Sequence, residues 1–176
     1  MTGPFVVEPL GGHHDRSGFT CGEAAPDRYC HQQVSQDVRR HVTNCIVAIG
    51  PDQAIAGYYT FAATGLPLTE LSADETRRLP RYPLLPAGLI GRLAVATPYA
   101  GQRLGAALIV DAISKALRSD PAIFAIILDA KDDAASRFCI HHGFRPFISR
   151  PLSLFLPIAK AARRLAPQDD QRDTRI

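Results

Sequence analysis

Gly91-Arg92-Leu93-Ala94-Val95-Ala96-Thr97-Pro98-Tyr99-Ala100-Gly101-Gln102-Arg103-Leu104-Gly105-Ala106-Ala107-Leu108 carries most of the information about the fold. Leu89 to Val95 is apolar and reads as a strand, broken at Thr97-Pro98. Gly101 to Gly105 is a glycine-bearing turn that leads directly into a helix. Leu108, Ile109, Ala112, Ile113, Ala116 and Leu117 recur there at helical spacing, opposite Asp111, Ser114, Lys115 and Arg118. Asp120-Pro121 ends that helix, and Ala122 to Leu128 follows as an apolar run that suits a strand buried on both faces. Asp132 or Asp133 caps a short helix through His142, closed by Gly143. Phe144 to Ile148 and Leu152 to Ile158 supply closing strands, and Lys160 to Leu165 one or two helical turns. This order predicts an α/β domain, a single mixed β-sheet flanked by helices.

Upstream, Val6 to Pro26 is irregular and rich in Gly, His and Asp, with Asp15 to Gly22 as a structured turn. Asp27 is a candidate N-cap for a helix over Arg28 to Arg40. Asn44 to Ile49 and Ile55 to Ala63, separated by Gly50-Pro51-Asp52, predict a hairpin. Leu68 to Leu79 has room for a short helix starting near Thr69 or Ser72, and Pro80, Pro83 and Pro86 keep the next segment extended or turning. Residues 1–165 read as one domain, and the polar stretch 166–176 as a frayed tail.

Composition bounds the rest. With 46% hydrophobic and 21% charged residues in 176, the chain has enough apolar material for a core, which excludes full disorder and a disulfide-stapled mini-protein. A net charge of +3 permits an anionic partner without requiring one. No apolar run approaches the roughly 20 residues of a membrane span, and Met1-Thr2-Gly3-Pro4 opens no signal peptide. The expectation is a cytoplasmic protein that does not engage a membrane. Cys21, Cys30, Cys45 and Cys139 form no CxxC pair. Cys30-His31 and His13-His14 then read as thiols and loop histidines of a reducing compartment, with no metal expected.

A helix beginning after Gly101-Gln102-Arg103-Leu104-Gly105-Ala106 leaves its first N–H groups unpaired. Those donors and the positive end of the helix dipole suit a diphosphate. Gly105 and Ala106 keep side chains out of its way, and Arg103 adds a charge. A glycine before a helix is also an ordinary connection, so the turn alone does not decide. Neither the P-loop pattern nor the dinucleotide fingerprint is present.

The whole set is more specific. Gly91 to Val95 with Tyr99 to Leu108, followed by Asp132 to Gly143-Phe144, resembles the acetyl-CoA-binding core of the GNAT acetyltransferases. Asp15-Arg16-Ser17-Gly18-Phe19-Thr20-Cys21-Gly22-Glu23, Gly57-Tyr58-Tyr59-Thr60 and Leu79-Pro80-Arg81-Tyr82-Pro83 resemble its toxin branch, the TacT and AtaT type of bacterial toxin–antitoxin modules. The resemblance covers residues 5 to 158. It implies the GNAT acyltransferase fold and acetylation of the α-amino group of aminoacyl-tRNA with acetyl-CoA, which blocks translation. It also implies a ribbon-helix-helix antitoxin as partner. By the same resemblance, backbone groups of Leu93, Ala94 and Val95 bind the pantetheine arm and polarise the acetyl carbonyl. Gly101, Gln102, Arg103, Leu104, Gly105 and Ala106 cradle the diphosphate, and Phe138 packs near the pantetheine.

Two positions depart from the family pattern. Arg103 occupies a loop site that tolerates it if its φ is negative. Cys139 replaces the tyrosine that in the family protonates the departing thiolate. Two readings of Cys139 stay open, a shorter thiol acid or a small core residue. Arg39, Arg40, Arg77, Arg78 and Arg81 are the candidate contacts to tRNA phosphates, and the modest charge leaves room for a homodimer that builds one basic groove. The alternatives are a GNAT enzyme acting on a small amine or a protein amino group, and a catalytically weakened acetyl-CoA-binding module.

Overall fold

The structure, a computed structural model, describes residues 4–165. Its elements are β1 (Val6–Pro9), α1 (Ala24–Arg28), α2 (Val34–Arg39), β2 (Asn44–Ile49), β3 (Ile55–Pro67), α3 (Ala73–Thr76) and β4 (Leu84–Val95). They continue with α4 (Leu104–Leu117), β5 (Ala125–Asp129), α5 (Asp133–His141), β6 (Arg145–Pro146), β7 (Ser153–Pro157) and α6 (Ile158–Leu165). The strands form one seven-stranded sheet in the order β1-β2-β3-β4-β5-β7-β6. All pairs are antiparallel except β4 with β5, which are parallel and joined through α4. The sheet is mixed and helix-flanked, as the element order predicts.

Adjacent strand residues point to opposite faces, so consecutive apolar positions supply two cores. Tyr58 and Tyr59 show this directly, since both are fully buried. The Tyr59 hydroxyl donates to Asp111 on α4 at 2.6 Å, and the Tyr58 hydroxyl donates to the Pro26 carbonyl of α1 at 2.8 Å. Each buried ring contributes on the order of 2 kcal/mol and ties one layer to the sheet. On the Tyr59 face, Leu104, Leu108, Ala112 and Ile113 of α4 pack with Ile90, Ile126, Leu154 and Ala161. On the Tyr58 face, Phe19, Tyr29 and Val34 cover Val47 and Ala94 near the end of β4. Leu71 covers Leu85, Ala87 and Ile127 toward the other end of the same face.

Several elements differ from expectation. Val6–Pro9, read as irregular, pairs with β2 as an edge strand. The first helix begins at Ala24, not after Asp27, and a π-helical turn at Tyr29–Gln33 joins α1 to α2. Asp27 instead braces the preceding turn by accepting from the Cys21 N–H and the Thr20 hydroxyl. Strand β4 starts at Leu84, so Pro86 lies inside it, just before β5 joins at Ala87. That is an edge position, where a missing N–H is tolerated. The expected strand Phe144 to Ile148 shrinks to Arg145–Pro146. Ser72 caps α3 in a reciprocal capping box with Glu75. The expected tail 166–176 lies outside the described residues.

Candidate active site

The cleft arises from a bulge. Tyr59 pairs with Leu93 and Phe61 with Ile90, so Gly91 and Arg92 together oppose Thr60. The Arg92 N–H donates to Thr60 Oγ1 at 3.0 Å, and a Cβ on Gly91 would lie 3.1 Å from that oxygen. Such an extra residue bends its strand. Pairing between β4 and β5 ends at Ile90 with Leu128, while β4 runs on to Val95. Between the diverging strands lies a cleft of about 460 Å³.

The open edge of β4 supplies backbone groups. Ala96 donates its N–H to Ala56 of β3, and the Ala94 carbonyl also lies toward β3. Backbone groups alternate edges along a strand, so those of Leu93 and Val95 point into the cleft. Their side chains pack toward α4. Of the three strand residues expected to serve a thioester, two offer N–H and C=O groups on the open side. The Ala94 backbone is used within the sheet.

The turn into α4 lies beside this cleft: none of Gly101 to Ala106 is among its lining residues, but Gly105 adjoins Phe138, Val95 and Leu93, which are. Gly101 has φ 77°, and Arg103 has φ 62°, not the negative value its tolerance was expected to require. An αL residue directly before helical Leu104 aims successive N–H groups into one concavity, a shape that holds anions. No side chain caps α4. A Cβ on Gly105 would meet Phe138 Cζ at 3.7 Å, Val95 Cγ2 at 3.8 Å and Leu93 Cδ2 at 3.9 Å. The bare side of Gly105 therefore faces the residues expected to flank a pantetheine arm.

Helix α5 places Phe138 and Cys139. Asp132 caps it by accepting from the Ala135 N–H at 2.8 Å, and Gly143 with φ 97° ends it. Phe138 is 41% exposed at the cleft mouth, held edge-to-face by His142 at 4.6 Å. Cys139 is 6% exposed and lines the cleft. Burial pushes its thiol up to about 11. At neutral pH it is a protonated, weakly acidic group. Tyr99 donates to Asp52 at 2.7 Å, so that phenol is engaged away from Cys139.

The opposite side of the cleft holds charges that sequence reasoning did not assign. Glu23, at the start of α1, pairs with Lys131, and both line the cleft. Arg92 lies over the Tyr29 ring at 3.6 Å. The available signal was a lone arginine inside an otherwise apolar strand. The donor-facing residues thus lie on the α4 and α5 side of the sheet, and these charges on the α1 side.

The five arginines expected to meet tRNA divide into two groups. Arg39 and Arg40 lie exposed at the end of α2. Hydrogen bonds from Gln33 and Tyr29 lower the Asp37 carboxyl, and Arg92 and Arg40 add favourable charge. Arg77, Arg78 and Arg81 are exposed at and beyond α3, where Arg77 pairs with Asp74 at 3.4 Å.

Glu8, His13 and His14 gather within 4.8 Å. The Gly11 N–H donates to His14 Nδ1 at 2.8 Å, so His14 Nε2–H donates to Glu8 at 2.7 Å. Both nitrogens are engaged, which leaves His14 no lone pair for a metal while these bonds stand.

A splayed parallel strand pair, with a helix N-terminus opening beside it, is the arrangement of the GNAT acyltransferase fold. No family model matches the chain. The chain is 24% identical over 165 residues to a probable toxin TacT of Sinorhizobium fredii, spanning 88% of this chain and 91% of that protein. It is 28% identical over 167 residues to a tRNA-acetylating toxin of Mycobacterium tuberculosis, spanning 94% and 98%. Among solved structures, AtaT complexed with acetyl-methionyl-tRNAfMet superposes with a TM-score of 0.83 at 23% identity, over 92% of this chain and 99% of AtaT. A tyrosine-to-phenylalanine variant of KacT gives 0.85 at 20%, over 93% and 100%. AtaTR bound with acetyl-CoA gives 0.77 at 23%, over 93% and 99%.

Proposed function

We propose that this protein is an acetyl-CoA-dependent N-acetyltransferase, the toxin of a toxin–antitoxin module, which acetylates the α-amino group of aminoacyl-tRNA and blocks translation. The observation that carries this is the open backbone edge at Leu93 and Val95 beside the uncapped start of α4. The relatives named for tRNA acetylation support the choice of acceptor.

The chemistry follows from the cleft. The acceptor amine attacks the thioester carbonyl, the C–N bond forms, the C–S bond breaks, and the proton lost by the nitrogen passes through water to solvent or to the departing CoA thiolate. Negative charge builds on the carbonyl oxygen during attack, and N–H groups from the Leu93–Val95 edge stabilise it. The turn from Gly101 through Gln102, Arg103, Leu104 and Gly105 to Ala106 holds the diphosphate, and Phe138 covers the pantetheine. Cys139 takes the place of the expected acid. The departing thiolate needs no strong acid near pH 8, since an ordinary thiol has a pKa of about 8.5.

Residues 1–165 act as one domain in the cytoplasm; among the described residues no helix is long and apolar enough to cross a membrane. The partner is an antitoxin, in keeping with AtaT solved bound to the C-terminus of the antitoxin AtaR, and of the ribbon-helix-helix type that the family resemblance implies. A homodimer would place two sets of Arg39, Arg40, Arg77, Arg78 and Arg81 on one acceptor. The Cys139 thiol favours one second reading, a weakened acetyl-CoA-binding module. Expression in bacteria without the antitoxin separates the two: growth arrest supports the toxin, and unimpaired growth supports the module.

A further inference from the structure

Arg92 is unusual among the cleft residues. It lies on the bulge of β4, exposed, with its guanidinium 3.6 Å above the centre of the Tyr29 ring. The π-helical turn that begins at Tyr29 sets this residue beneath the bulge, and such turns often mark functional positions. Tyr29 is itself fixed, because its hydroxyl donates to Asp37 at 3.0 Å. Among the described residues no carboxylate forms an ion pair with Arg92. A planar fork, stacked on one face and unspent at its N–H edges, is built to take a bidentate oxyanion. It lines the cleft on the α1 side, away from the turn that would hold a diphosphate.

We propose that Arg92, stacked on Tyr29, is an acceptor-side phosphate site that binds a backbone phosphodiester at the 3′ end of the acceptor tRNA. This rests on the tRNA reading above and names the residue that seats that substrate. A bound phosphate fixes where the terminal aminoacyl ribose falls, which brings the amine to the open edge of β4.

The test uses Arg92→Ala and Arg92→Lys in the full chain with two readouts. The first is fluorescence anisotropy with a labelled tRNA acceptor minihelix, which needs no turnover. The second is acetyl transfer to aminoacyl-tRNA and to aminoacyl-adenosine, which carries the same amine and no phosphate. Arg92→Ala is expected to weaken minihelix binding about 10- to 100-fold and to lower the log–log salt slope by about 1. Arg92→Lys should keep part of the binding, since it retains charge without the fork. Transfer to aminoacyl-tRNA should fall through KM, and transfer to aminoacyl-adenosine should fall far less. Wild-type minihelix affinity in Arg92→Ala would overturn the site, as would equal losses on both acceptors. Should the wild-type chain bind the minihelix through Arg92 yet acetylate no aminoacyl-tRNA, the phosphate site stands and the proposed reaction falls.

Discussion

Replacing Cys139 tests how the cleft releases its thiolate. The thiol is 6% exposed and pushed up to about 11 by burial. Against a departing alkyl thiolate whose conjugate acid has a pKa of about 8.5, proton donation from such a thiol is uphill on the order of 10²-fold. Removing it should therefore cost little, and Cys139→Ala should lose no more than about 3-fold in transfer rate. A tyrosine at this position reaches further into the cleft of about 460 Å³ by most of a ring, and its phenol, with a pKa of about 10 when free, is closer in acidity to the leaving thiol than the buried Cys139 is. General acids contribute about 10²–10⁴-fold, so even a poorly placed phenol should raise the rate about 10-fold or more. Transfer of labelled acetyl to charged tRNA reads the rate, calorimetry reads acetyl-CoA affinity, and thermal melting separates a misfolded variant from a slow one. Affinity should barely change, because the diphosphate turn lies on α4. A fall of about 10²-fold in Cys139→Ala, with no gain in Cys139→Tyr, would show that the thiol is the acid and refute this reasoning.

Gly105→Glu has room for its Cβ, which would meet its neighbours at 3.7 to 3.9 Å, but it sends a negative side chain toward the pantetheine side, next to the turn proposed to hold the diphosphate. Calorimetry should show acetyl-CoA affinity reduced at least about 10-fold, and unchanged affinity would remove the site from this turn. Ser72→Ala breaks the capping box of α3 and should lower stability by about 1 kcal/mol in urea titration; no change would mean that Leu71 packing alone holds the segment. Burial raises Cys30, Cys45 and Cys139 to about 11, 12 and 11. Their neutral thiols contribute stability in full below about pH 8.5, where the unfolded thiols are also protonated. That contribution is lost as pH rises through the folded values, so the urea midpoint should fall between about pH 9 and 11. A midpoint that stays flat over that range would contradict the burial of these groups.

The legible parts of the fold were those whose pattern is set by burial. The α4 stripe is buried from Leu108 to Ala116, with Leu117 exposed at its end, and of the expected run Ala122 to Leu128 the strand and full burial begin at Ala125. Strand β1 escaped because Val6 and Val7 are exposed on a sheet edge, so no alternation marks it. The start of β4 hid behind prolines that an edge position tolerates. At the site, the glycine turn was visible because an uncapped helix start with small residues is a local pattern, whereas Phe138 came only from the family resemblance. The φ of Arg103 was not, since nothing in the local sequence signals an αL arginine. Arg92, Glu23 and Lys131 were missed for a different reason. Their roles depend on a bulge and on contacts between distant segments, Glu23 with Lys131 and Arg92 with Tyr29.

The central claim is the transfer of an acetyl group to the amine of a charged tRNA. Purified protein incubated with acetyl-CoA and a pool of aminoacyl-tRNAs, followed by nuclease digestion and mass spectrometry of the 3′-terminal aminoacyl-adenosine, reads it directly. The account predicts a mass gain of one acetyl group, about 42 Da, on the amino acid, dependent on acetyl-CoA and lost in Gly105→Glu. Unmodified aminoacyl-adenosine throughout, with acetyl-CoA bound and unconsumed, would contradict it.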